Sequence, residues 1–71
     1  MRTIELRSGE ETIRLGQLLK LVDAVTTGAQ VKDVLLAGEV QVNGEPEERR
    51  GRQLHRGDVV SVAGQDDVRI G

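Results

Sequence analysis

The chain of 71 residues has no cysteine, no phenylalanine, no tyrosine and no tryptophan, and only one histidine and one proline. Each absence removes a class of chemistry. Without cysteine there is neither a disulfide nor a thiolate ligand to brace a small domain. The single imidazole, His55, has no second histidine and no thiol to work with, so neither a nucleophilic triad nor a zinc site can be composed. Without Phe, Tyr or Trp, base stacking in the manner of an RNA-recognition motif or a single-strand sheet platform is excluded. No stretch has the length and apolar character of a signal peptide or a membrane span, and nothing is repeated or low in complexity. The composition fits a cytoplasmic protein with no membrane partner.

Size is a further shortage. Seventy-one residues make one domain, 1–71, which buries only about 60% of the surface its unfolded chain exposes. Its core must come from Leu, Val and Ile. A small-molecule pocket of about 300 Å³ or more is hard to build from so little. The acidic pairs Glu10-Glu11, Glu47-Glu48 and Asp66-Asp67 are adjacent in sequence. In extended chain such neighbours point opposite ways and do not face each other as acid and base. No nucleotide-binding or calcium-binding loop is present. The expectation is a protein that is not an enzyme, with no catalytic residue, no metal ligand and no cofactor.

What is present is clear patterning. "TIELR" (3–7) alternates, with Ile4 and Leu6 on one face, and predicts a short half-buried strand ended by Ser8-Gly9. Leu15, Leu18, Leu19 and Val22 follow helical spacing, with Arg14, Gln17 and Lys20 on the wet side. Thr27 and Gln30 have the spacing of a capping box at the start of a second helix, whose stripe is Val31, Val34 and Leu35 and whose end is Gly38. Asn43-Gly44 is a type I′ hairpin signal, Pro46 places its strand at a sheet edge, and Leu54 is a lone apolar anchor. Arg56-Gly57-Asp58 turns into the strand "VVSV", and "DVRI" is a candidate partner of the N-terminal strand. These elements predict an α+β fold, two short packed helices against a small twisted, mostly antiparallel sheet. Leu21 and Leu36 lie off the stripes, as ordinary exposed leucines or as a small contact patch.

Net charge is −2, but it is unevenly spread. Residues 32–48 hold one lysine against five acidic groups, and residues 49–56 hold four arginines and no acid. Local charge governs the potential at a binding edge more than the total does. Arg49, Arg50 and Arg52 offer planar forks suited to phosphate. Gly28 and Ala29 open the second helix, where free N–H groups favour an anion, and Lys32 lies one turn on. If the arginine loop folds back over the second helix, these groups form one surface. The alternative reading is equally simple: Glu45, Glu47 and Glu48 pair with the arginines in an exposed loop that contributes little.

The run "IRLGQLLKLVDAVTTGAQVKDVLLAGEVQVNGEPEERRGRQLHRGDVVSV" resembles the S4 domain, an RNA-binding module also known by its alpha-L motif. The matching features are the leucine-rich helix, the small-residue cap before a helix carrying Lys32, and "LAGEVQVNGEPE" followed by a basic loop and "GDVV". The core of the likeness is residues 13–62, and "TGAQVK" is similar to small stand-alone bacterial members. The resemblance implies an S4-like fold and a ribosome-associated monomer binding structured RNA, ribosomal or transfer, with a protein partner left open. It also implies RNA contacts at Gln30, Lys32, Arg49, Arg50 and Arg52, with Lys20 beside them; at Gly28, where many members of the wider family carry a basic residue, the chain departs from the pattern. Two rivals stand against it. One is a β-grasp sulfur carrier, which needs a free diglycine tail where this chain has Arg69-Ile70-Gly71. The other is a protein-interaction adaptor using the acidic hairpin.

Overall fold

Leu15, Leu18 and Leu19 from one helix and Val31 and Leu35 from the next are sealed from solvent against one face of a sheet. The computed structural model describes residues 1–71. Its elements run β1 (Arg2–Ile4), β2 (Thr12–Arg14), α1 (Leu15–Leu21), α2 (Gly28–Leu36), β3 (Val40–Val42), β4 (Glu45–Pro46), β5 (Gln53–His55), β6 (Val59–Val62) and β7 (Val68–Ile70). Five strands form one sheet in the order β1-β7-β6-β3-β4, and β2 pairs with β5 in a separate ladder. Only β1 with β7 is parallel; the other pairs are antiparallel. This is the expected α+β architecture. No helix is long and apolar enough to cross a membrane.

Register explains the one-sided core. Val40 and Val42 sit opposite Val62 and Val60, and Val60 sits opposite Val68, so valines fill the face under the helices. Gln41 and Ser61, opposite each other, take the other face. Pro46 ends up on the edge strand β4, where its missing N–H costs the ladder nothing.

Two local expectations need correction. The "TIELR" strand stops at Ile4, because its partner β7 ends at Ile70, although Ile4 and Leu6 both pack on the core as the alternation implies. The ladder of β2 with β5 was not expected at all. It sets Ile13 opposite Leu54, so the lone anchor is a fully buried strand residue. Three-residue strands with a single apolar side chain have no period to detect.

The turns carry specific bonds. Asn43 and Gly44 both have positive φ, 53° and 82°, as a type I′ turn requires. At α2 the Thr27 hydroxyl oxygen accepts from the Gln30 N–H at 3.2 Å, but the Gln30 side-chain oxygen Oε1 reaches back to accept from the N–H of Thr26 at 2.7 Å. The reciprocal bond is thus shifted one residue from the expected box.

Asp58 ties several strands together. Its carboxylate accepts from the His55 N–H at 2.8 Å and from the Asn43 amide at 3.1 Å, while the Asn43 side-chain oxygen accepts from the Val59 N–H at 2.9 Å. Burial pushes the Asp58 carboxyl up, but the His55 N–H and the Asn43 amide outweigh it and hold it below the usual range. Asp58→Ala removes both bonds at a half-exposed site, so a loss of about 1–2 kcal/mol is expected. Urea unfolding measures it, and an unchanged midpoint would remove the clasp from the account of stability.

Candidate nucleic-acid interface

Helix α1 begins without a side-chain acceptor for its first N–H groups. Such groups must find partners somewhere. Here the partners are carbonyls of the arginine loop: the Leu15 N–H donates to Arg52 O and the Gly16 N–H to Arg50 O, both at 2.9 Å. The approach is close. A Cβ at position 16 would lie in van der Waals contact with Arg50 O at 3.4 Å and Val31 Cγ1 at 3.5 Å, so the loop packs directly on the helix there.

The loop itself is a turn, closed by the Arg52 N–H donating to Arg49 O at 3.2 Å, with Arg50 and Gly51 at its apex. Beside it lies Glu47, the one buried charged side chain, 7% exposed. One Glu47 oxygen accepts from the Arg49 N–H at 3.1 Å and from Arg49 Nε at 3.0 Å. The other accepts from Arg52 Nη1 at 2.9 Å. Hydrogen bonds from Arg52 and then Arg49 hold the Glu47 carboxyl at about 2, against burial that would raise it.

Between α1, the start of α2 and the apex of the turn lies a cleft of ≈170 Å³. Arg14, Lys20 and Arg50 line it, with Gln17 between them, Gly28 at the start of α2 and Val31 as the single apolar lining residue. No acidic residue lines it, and none of the three cations is in an ion pair. Its volume is below the ~300 Å³ typical of small-molecule sites, so it is an open groove rather than an enclosing pocket. Converging like charges in a groove concentrate the field there.

The residues singled out from the sequence are distributed unevenly around this cleft. Lys20, Gly28 and Arg50 line it. A Cβ on Gly28 would meet nothing within 4 Å, so the space there is open. Arg49 and Arg52 belong to the Glu47 ion pairs, with 79% and 31% of their side chains exposed. The Gln30 side-chain oxygen Oε1 is engaged by Thr26, and Lys32 is exposed on α2 away from the lining. The loop does not fold back over α2; it seats on α1 and meets α2 across the cleft. Arg14 and Gln17 were missed as site residues. Arg14, Gln17 and Lys20 follow one another in steps of three, which sets neighbours in the series on one side of the helix, a signal the sequence does contain. Elsewhere, Leu21 borders a larger cavity of ≈480 Å³ with Ile4, Leu6 and Ile13, rimmed by charges of both signs, and Leu36 is simply exposed.

Fold and cleft together define a small α+β module whose basic surface is this groove. The chain belongs to the S4 domain family, whose model matches residues 4–70. It is 52% identical over 54 residues, 76% of each chain, to a protein of Bacillus subtilis (strain 168) named as a probable ribosome maturation protein, RlbA. It is also similar to the solution structure of YbcJ from E. coli, described as revealing an alfaL motif involved in RNA-binding. That likeness has a TM-score of 0.69 and 34% identity, covering 99% of this chain and 86% of that one.

The low Glu47 pKa has a consequence for stability. Because the folded value, about 2, lies below the ordinary 4.5, the ion pairs contribute fully above the ordinary value and fade as pH falls toward the folded one. The difference in unfolding free energy between the chain and its Glu47→Gln variant should therefore be constant near neutrality and narrow in acid. Urea titrations across that range check it; an equal difference at both ends would show that the carboxylate is not the responsible group.

Proposed function

We propose that the chain is a non-enzymatic module that binds structured RNA, ribosomal RNA in the first place, through phosphate contacts and shape. The single observation that carries this reading is the convergence of Arg14, Lys20 and Arg50, none in an ion pair, on one groove without an acid. Membership of the S4 domain family supports it, as do the ribosome-maturation name of the Bacillus relative and the RNA-binding motif of the E. coli one. With no aromatic side chain, the groove reads backbone and groove shape rather than stacked bases. The open start of α2 at Gly28 and Ala29 lies where a phosphate meets free N–H groups, and Lys32, Arg49 and Arg52 add a weaker outer field. Such a protein works in the cytoplasm, where ribosomal RNA is folded and assembled.

The sulfur-carrier alternative has no support in the geometry. Val68 and Arg69 are paired on both sides, with β1 and β6, Ile70 pairs with β1 and bonds Gly57 and Asp58, and the Gly71 N–H donates to Ile4 O at 2.8 Å.

Fluorescence anisotropy with a ribosomal RNA hairpin, measured across a salt series, tests the proposal. For every phosphate that is no longer neutralised, the plot of log affinity against log salt should flatten by about 0.7–0.9. The variant with Arg14, Lys20 and Arg50 all changed to Ala should therefore show a slope shallower by about 2–3 and bind much more weakly. No binding by the unaltered chain at low salt, or an unaffected variant, would overturn the reading and direct attention to protein partners of the acidic hairpin.

A further inference from the structure

We infer that Glu47 is the positioning residue of the groove: its carboxylate grips both ends of the Arg49–Arg52 turn and so holds the apex residue Arg50 at the mouth. The inference rests on the RNA-binding reading of the groove and adds to it a division of labour among the three loop arginines. Glu47 bonds the first turn residue through its N–H and Nε and the last through Nη1, at 3.0–3.1 Å and 2.9 Å. It touches neither apex residue. The carboxylate is itself anchored, since the Glu47 N–H donates to Val40 O at 3.1 Å and extends the β3–β4 pairing by one bond. From that fixed point the turn delivers the Arg50 carbonyl to the Gly16 N–H and the Arg50 side chain to the groove. Arg49 and Arg52 are thus the arms of a clamp, and Arg50 is the loop arginine left for phosphate.

An acid inside a basic RNA-binding loop makes an unusual demand. If only charge mattered, deleting it would strengthen binding to a polyanion. If it positions the loop, deleting it weakens binding, because the competent turn is then populated only part of the time and the apparent affinity falls by that fraction. The sign of the effect separates the two.

The experiment compares Glu47→Gln with Glu48→Gln, the same charge change one residue along at an exposed side chain that makes no hydrogen bond or ion pair. RNA binding is read by anisotropy with the same ribosomal hairpin at fixed salt. Amide hydrogen exchange at Leu15 and Gly16, which donate to the turn, is read without RNA, with Ile70 in the sheet as the reference amide. Glu47→Gln should bind about tenfold more weakly if the competent fraction falls to about a tenth. It should also expose Leu15 and Gly16 to faster exchange while Ile70 is unchanged. Glu48→Gln should bind as well as the unaltered chain or slightly better, with no change in exchange. Equal or tighter binding by Glu47→Gln, or unchanged exchange at Leu15 and Gly16, overturns the inference. Should Glu47→Gln fail to fold, Glu47→Asp is read instead. It keeps the charge and shortens the reach, so weaker binding supports positioning and unchanged binding refutes it. If the unaltered chain binds no RNA, the functional reading fails, and the exchange data alone still decide whether Glu47 holds the turn.

Discussion

The first two N–H groups of helix α1 donate to the carbonyls of a turn far along the chain, and most of the functional geometry follows from that exchange. A seven-residue helix is short for its own stability, and its start has no side-chain cap. Taking the caps from residues 50 and 52 stabilises the helix and fixes the loop in one step. It also draws the flanking segments together, so that Thr12–Arg14 and Gln53–His55 pair as a second ladder beside the helix start. At Gly16 the loop packs directly on the helix, with the Arg50 carbonyl and Val31 at contact distance from where a Cβ would stand.

The same arrangement explains how an acidic chain carries a basic groove. The sequence crowds acids into residues 32–48 and arginines into 49–56, and at the boundary the fold sets one acid, Glu47, against two arginines. A buried carboxylate without partners would be strongly destabilising; with three hydrogen bonds it is satisfied and rigid. Arg14, Lys20 and Arg50 keep their charge for the groove. The loop is thus ion-paired in part only: Arg49 and Arg52 are held by Glu47, and Arg50 is in no ion pair and lines the groove.

Much of the fold was legible in the chain. The stripe Leu15, Leu18, Leu19, Val22 is buried as its spacing implies, and so are Val31 and Leu35. Asn43-Gly44 turns with positive φ, Pro46 lies at an edge, and "DVRI" pairs with the N-terminal strand. Each of these is a local rule with a local cause. What was not legible was short or non-local. The β2–β5 ladder joins segments that each carry one apolar residue, and the Asn43–Asp58 clasp spans turns that look independent in sequence. The groove was half visible: Lys20, Gly28 and Arg50 were singled out, whereas Arg14 and Gln17 passed as merely wet side chains.

By itself, then, the sequence determined the class of protein. Absent cysteines and aromatics, two apolar helical stripes and a segregated run of arginine define a small α+β module with a charged edge, because composition and periodicity act through local geometry and burial. Which arginine faces the groove was decided only in three dimensions. Arg49, Arg50 and Arg52 are alike as letters, and their difference arises from a turn that puts two of them against one carboxylate and the third at the apex. Hydrogen-bond partners distant in sequence leave no periodic trace along the chain, so only the folded backbone could assign those roles.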